Sequence, residues 1–232
     1  MVVTKENINN FIKCPFLFGK NVLSDKYKII TEKESIERFK KHVVELASYE
    51  MKENVKLDLA EYRSSFTNKY FTSKKSLDAF LDPSVLIPML NTLFSVFANK
   101  VFIGYNLPID INIAGTNMVY RDIIDFGLID EEENITFVEI VDLTSISPSF
   151  EEKVKNWVHY FIPYSFLASS FNKTINVVFI DPDIRETVEF VVHPEKFDLD
   201  YIQLCEFIKT MKTHYIYKNL YMCSNCEQLG NC

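Results

Sequence analysis

Cysteines constrain this chain more than any other feature. Three of its five stand as Cys223-Ser-Asn-Cys226 and Cys232, and a fourth, Cys14, stands near the start beside Pro15. Two thiolates separated by two residues can face one metal, because the turn between them exposes backbone N–H groups to the sulfurs. In an intracellular protein this spacing favours metal over disulfide. Cys223, Cys226 and Cys232 leave one coordination position open, and Cys14 fills it if the fold brings residue 14 back to residue 223. Spacing leaves zinc and an iron–sulfur cluster both open. His214 is an alternative fourth ligand for zinc, and a group of free thiols is the plain alternative. Cys205 sits with Ile202 and Ile208 at helical spacing and reads as a buried core thiol.

The chain between these cysteines must form a packed core. With 47% hydrophobic residues among 232, it has enough apolar surface for one substantial core and too much for disorder. Five glycines are few for repeated tight turns, and no internal period marks a solenoid. No apolar run reaches the ~18 residues of a membrane span. The opening Met-Val-Val-Thr-Lys-Glu lacks the apolar stretch of a secretory signal. The expectation is a soluble, intracellular protein with no membrane contact.

Helical periodicity dominates the first part. Thr4 followed by Ile8, Phe11 and Ile12 predicts a short capped helix, stopped at Cys14-Pro15. Residues 33–62 lack Gly and Pro and carry Val43, Leu46 and Ala47 at helical spacing. A second helical region follows Pro83, with Ile87, Leu90, Leu93, Phe94 and Phe97. From Lys100 the pattern changes to strands: 101–105, 109–113, 118–129 and 135–144, the last two joined by the acidic turn Asp130–Asn134. A helix over 150–171, kinked or divided at Pro163, precedes strands at 175–180 and 187–192, and a helix over 199–217 leads to the final cysteines. This order predicts an α+β (α/β-like) fold, a mixed central β-sheet flanked by helices. We divide it as residues 1–99 (N-terminal cysteine segment and helical region), 100–198 (sheet core) and 199–232 (C-terminal helix and cysteine tail), in one compact unit.

Two acidic strands stand out. A hairpin centred between Glu133 and Asn134 sets Asp125 opposite Asp142, with Cβ atoms about 4.5–5.5 Å apart. Carboxylates so close among Ile and Val repel unless a cation lies between them, which points to a divalent metal. A register slip of one residue turns Asp142 to the other face, and Glu139 is the competing partner. Two solvent-facing acids on a half-buried hairpin are the plain alternative.

Taken together, these features resemble the iron–sulfur branch of the PD-(D/E)XK nucleases, which includes the RecB/AddB nuclease domains and the CRISPR-associated RecB-like exonucleases. Asn10-Phe11-Ile12-Lys13-Cys14-Pro15 followed by Phe16 resembles the family's opening. Asp122-Ile-Ile-Asp125 resembles its Gly-x-x-Asp, and Ile140-Val141-Asp142-Leu143-Thr144 the strand carrying Asp-x-Lys. Cys223, Cys226 and Cys232 match its closing motif. The resemblance implies a restriction-endonuclease-like core with the termini joined by a 4Fe-4S cluster on Cys14, Cys223, Cys226 and Cys232. It also implies Mg²⁺ or Mn²⁺ at His42, Asp125 and Asp142. Asn156 and Tyr160 occupy the place of the family's Gln-x-x-x-Tyr helix and would line the DNA path.

The departures bear on activity. Asp122 replaces the usual glycine, and Thr144 stands where the catalytic lysine belongs. A hydroxyl cannot neutralise charge developing on a phosphate. Lys153 or Lys155, on the following helix, is the candidate replacement; taking Glu139 as the acid does not restore the motif, because Val141 follows two positions on. The implied function is metal-dependent hydrolysis of DNA, single-stranded or end-bearing duplex, impaired if no lysine substitutes. The alternatives are an inactive nuclease-fold subunit that binds DNA or assembles into a larger nucleic-acid-processing complex, and a zinc-stabilised interaction protein. The charge distribution suits a polyanion-binding front part. Residues 1–75 carry 15 Lys/Arg against 10 Asp/Glu, and residues 76–232 carry 10 against 22, although a solvated surface explains this equally well.

Overall fold

The computed structural model describes residues 2–5, 7, 8, 11, 34–53, 91–141, 160–181 and 186–213. Six strands form one mixed sheet: β1 (Val2–Thr4), β2 (Lys100–Ile113), β3 (Met118–Asp130), β4 (Ile135–Ile140), β5 (Ile175–Asp181) and β6 (Glu186–Val192). Its helices include α1 (Glu34–Glu53), α2 (Ile162–Phe171) and α3 (Lys196–Thr213), with further helical residues at 91–97. The expected α+β class and mixed sheet are therefore present.

β2 and β3 form a long antiparallel hairpin, paired from Lys100↔Asp130 to Ile113↔Met118. The sequence suggested two strands here, but pairing runs through Pro108, whose missing N–H costs little on a strand that, among the described residues, pairs on one side only. Arg121 and Asp110, directly opposed, make two parallel hydrogen bonds of 2.7 Å that mark the register on the exposed side. β4 runs antiparallel to β3, β5 parallel to β4, and β6 antiparallel to β5.

The other edge of β3 carries two strands end to end. β1 pairs in parallel with Val119–Arg121, while β4 pairs antiparallel with Phe126–Ile129. Since β1 and β4 run in opposite directions, their C-terminal ends converge on residues 122–125 of β3. The break in pairing falls between them.

Apolar side chains fill both faces of the sheet. On one, Val43, Leu46 and Ala47 of α1, with Leu93 and Phe97, pack on Phe102, Phe126, Leu128, Val138 and Ile180. On the other, Tyr164 and Ala168 of α2, Leu204 and Ile208 of α3, and Ile8 and Phe11 pack on Tyr120, Phe137, Val177 and Phe179. Along β3, Tyr120 and Ile124 belong to the second group and Phe126 and Leu128 to the first, so the packing changes over at Asp125. On β2, Asn106 lies between the partners of Ile124 and Phe126 and adopts φ +50°. α2 starts with Pro163 in its first turn, where proline is tolerated because no N–H donor is needed; residues 150–159 of the expected helix lie outside the described residues. Cys205 is buried with Ile208 as expected, but Ile202 is exposed. Among the described residues, no helix is long and apolar enough to cross a membrane.

Candidate functional site

A hydrogen-bonded turn sets the acidic residues of β3 against those of β4. The Asp130 carboxylate accepts from the N–H groups of Glu132 (3.0 Å) and Asn134 (2.9 Å), and Glu133 takes φ +63°. Those bonds centre the hairpin on Glu132, not between Glu133 and Asn134. The register follows: Ile129↔Ile135 and Phe126↔Val138. One step further, Asp125 comes level with Glu139, so the expected pairing with Asp142 is replaced by the competing one. Asp142, two residues beyond Ile140, lies outside the described residues.

The carboxylates of Asp122, Asp125 and Glu139 gather where β1 and β4 converge. Asp125 is buried; its Oδ2 accepts from the Ile140 N–H at 2.8 Å and meets Lys40 Nζ at 3.1 Å. Burial pushes its carboxyl up to about 6, against the opposing pull of Lys40. Glu139 is also buried; it ion-pairs with Lys5 through Oε1 and accepts from the Tyr164 hydroxyl through Oε2. Lys5 Nζ also reaches Asp122 Oδ2 at 3.0 Å and lies over the Tyr160 ring at 5.1 Å. Asp122 accepts from the Tyr120 hydroxyl at 3.1 Å and the Ile123 N–H at 2.8 Å.

Electrostatics lock this group together. Burial alone would lower the Lys5 pKa, but Asp122 and Glu139 outweigh it and hold the ammonium well above its usual range. Burial, then the nearby acids, pushes the Tyr120 and Tyr164 hydroxyls up, so both act as neutral donors. Three carboxylates against the ammonium groups of Lys5 and Lys40 leave one negative charge uncompensated among the described residues.

A divalent cation of the Mg²⁺ or Mn²⁺ type suits such oxygen donors. Asp125 and Glu139 fit that chemistry as a pair, although no group of three or more potential ligands is arranged for a metal among the described residues. Further donors would come from positions such as Asp142.

No family model matches the chain, and no curated protein does. Among solved structures it is similar to SSO0001, known from a crystal structure, at 15% identity and a TM-score of 0.34, over 82% of this chain and 95% of that one. That likeness is too distant to argue from.

The sequence-derived site residues divide as follows. Asp125 stands in the acidic group. His42 is on α1 as expected, at a position about 200° around the helix from Lys40, the residue α1 brings to Asp125. Tyr160 is buried, with its ring edge-on to Phe179 and Lys5 Nζ over its face. Thr144, Lys153, Lys155 and Asn156 lie outside the described residues, as do Cys14, Cys223, Cys226 and Cys232.

Sequence reasoning missed Lys5, Lys40 and Tyr164, and gave Asp122 no partner. A signal for Lys40 existed: it extends the inward stripe of Val43 and Ala47 at i+3 and i+7, where a charge needs a buried partner. Lys5 had none, since its partner Glu139 lies 134 residues away.

Proposed function

We propose that this chain is an intracellular, metal-dependent DNA nuclease of the iron–sulfur PD-(D/E)XK type, with Asp125 and Glu139 at its centre and Asp142, three residues on in sequence, as a further ligand. The observation that carries this reading is that two buried acids, Asp125 and Glu139, stand level on adjacent central strands and feel each other's charge, at the point where strand pairing stops. Burying carboxylates there is costly, and the negative charge left uncompensated among the described residues favours a bound cation. Mg²⁺ or Mn²⁺, when bound, supplies Lewis-acid charge at the phosphate.

This chain's residues do the rest. The Ile140 N–H and Lys40 fix Asp125 through Oδ2, and Tyr164 and Lys5 fix Glu139. In hydrolysis the water oxygen forms the new bond to phosphorus. The bond to the leaving sugar oxygen breaks with its electron pair, and that oxygen takes the proton the water gives up.

The 4Fe-4S cluster on Cys14, Cys223, Cys226 and Cys232 belongs to the same reading; four thiolates are the donor set such a cluster uses. Support comes from nearby packing. Phe11, three residues before Cys14, packs edge-on against Phe207 of α3 with centroids 5.7 Å apart. The cluster braces the fold and takes no part in hydrolysis.

A second reading, an inactive nuclease-fold DNA-binding or assembly subunit, draws on Lys5, whose ammonium already neutralises Glu139 and Asp122 without any metal. One experiment separates the two. Anaerobically purified protein is incubated with labelled single- and double-stranded DNA and Mn²⁺, beside Asp125→Ala. Cleavage that falls about 100-fold or more in the variant supports the nuclease. Salt-sensitive DNA binding without cleavage supports the inactive subunit. Neither cleavage nor binding sinks both.

A further inference from the structure

We propose that Lys40 supplies, from helix α1, the positive charge that the strand motif lacks at Thr144, and that its ammonium contacts the scissile phosphate beside Asp125. The inference rests on the nuclease reading above and assigns a residue that reading leaves open.

The motif strand offers no cation: Val141 follows two residues after Glu139, and Thr144 two after Asp142. Transition-state charge on a phosphate nevertheless needs a fixed positive group. Among the described residues, two ammonium groups reach the acids. Lys5 is held between Glu139 and Asp122 above the Tyr160 ring, and its side chain is 12% exposed. Withdrawing it would strand two buried carboxylates. Lys40 is more accessible, at 22%, and lies 3.1 Å from Asp125.

The geometry of Asp125 suits this division. Among the described residues, its polar contacts, from the Ile140 N–H and Lys40, both fall on Oδ2. Oδ1 is then the oxygen for a cation, and the Lys40 ammonium stands one carboxylate away from it. The base of Lys40 is fixed, because Val43 and Ala47 on the same stripe are fully buried against the sheet. Its four-carbon stem lets the tip move from Asp125 to a phosphate oxygen without moving the helix.

The test compares the full-length chain with Lys40→Met in three measurements: kcat and KM for cleavage of labelled DNA with Mn²⁺, calorimetric binding of Mn²⁺ alone, and thermal melting. The expected result is a fall in kcat of about 100-fold or more, with KM changed by less than about threefold. Mn²⁺ binds the variant at least as tightly as the wild type, since the ammonium competing for Asp125 is gone. Should Lys40→Met fail to fold, Lys40→Gln, which keeps an N–H donor for Asp125, gives the same readings. A variant that cleaves like the wild type overturns the role of Lys40 and leaves the nuclease reading standing. Loss of Mn²⁺ binding together with a lowered melting temperature makes Lys40 structural and also overturns it. A wild-type chain that does not cleave overturns the nuclease reading, and this inference with it.

Discussion

An ammonium group buried between two carboxylates is stable only while its partners stay charged, and Lys5 is such a group. Removing it leaves Glu139 and Asp122 facing each other inside the fold with their counter-charge gone. Breaking a buried pair from one side costs about 3–5 kcal/mol. Lys5→Met is therefore expected to lower stability by that amount in denaturant titration, and Glu139→Gln in the same chain to return part of the loss. The pH dependence follows from the raised pKa. While its carboxylate partners are charged, the contribution of Lys5 is complete below the unfolded value of 10.5 and is lost as pH rises through the higher folded value; on the acid side it is lost as Asp122, pushed up by burial, takes a proton. The deficit of Lys5→Met should thus persist at neutral pH. A variant that unfolds at the wild-type midpoint would show that these ion pairs contribute nothing net.

At the scale of elements, the β3–β4 hairpin decides which acids meet. Its tight turn needs a left-handed residue at the last loop position, and Glu133 fills that place at φ +63°. A non-glycine residue there costs roughly 1–2 kcal/mol, so Glu133→Gly is expected to stabilise the fold by about 0.5–1 kcal/mol after glycine's greater unfolded-state entropy is offset. Thermal melting measures this; a lower melting temperature would mean that the Glu133 side chain holds the turn. The same hairpin shows what the sequence could and could not tell. Strand alternation located β3 and β4, and two acids amid Val and Ile marked a costly site. The register depended on how the Asp130 carboxylate ties the turn, a contest among several polar residues that alternation does not resolve. β1 escaped notice because three residues carry too little periodicity, yet Val3 is buried and the strand pairs beside the site. Ile202 was misplaced for a related reason: helical spacing from Cys205 sets an angle, but the packing of α3 decides which flank is covered.

For the whole molecule, the question is what joins the two ends of the chain. Residues 2–5, 7, 8 and 11 are built into the sheet and the core: β1 pairs with β3, the Thr4 hydroxyl and Asn7 amide cap each other's N–H groups, and Ile8 is fully buried. α3 packs on the same face, with Leu204, Ile208 and Met211 buried. The Phe11–Phe207 contact then brings the segment before Cys14 against the helix that precedes Cys223. Cys14 lies three residues on from Phe11 and Cys223 ten on from Thr213, spans of at most ~10 Å and ~35 Å when extended, so chain length permits one metal to take ligands from both segments. If they hold a 4Fe-4S cluster, anaerobically purified protein is brown, absorbs broadly near ~400 nm and carries about four irons per chain. Cys14→Ser should bleach it as completely as Cys226→Ser, because each removes one of four ligands, whereas Cys205→Ser should leave the colour intact, its thiol being packed in the core. Loss of the cluster should lower the melting temperature, since the unfolded chain gives up a closure of more than two hundred residues. Colourless protein with stoichiometric zinc would assign the same four thiolates to a zinc site, and a Cys14→Ser variant with undiminished metal would separate the two ends.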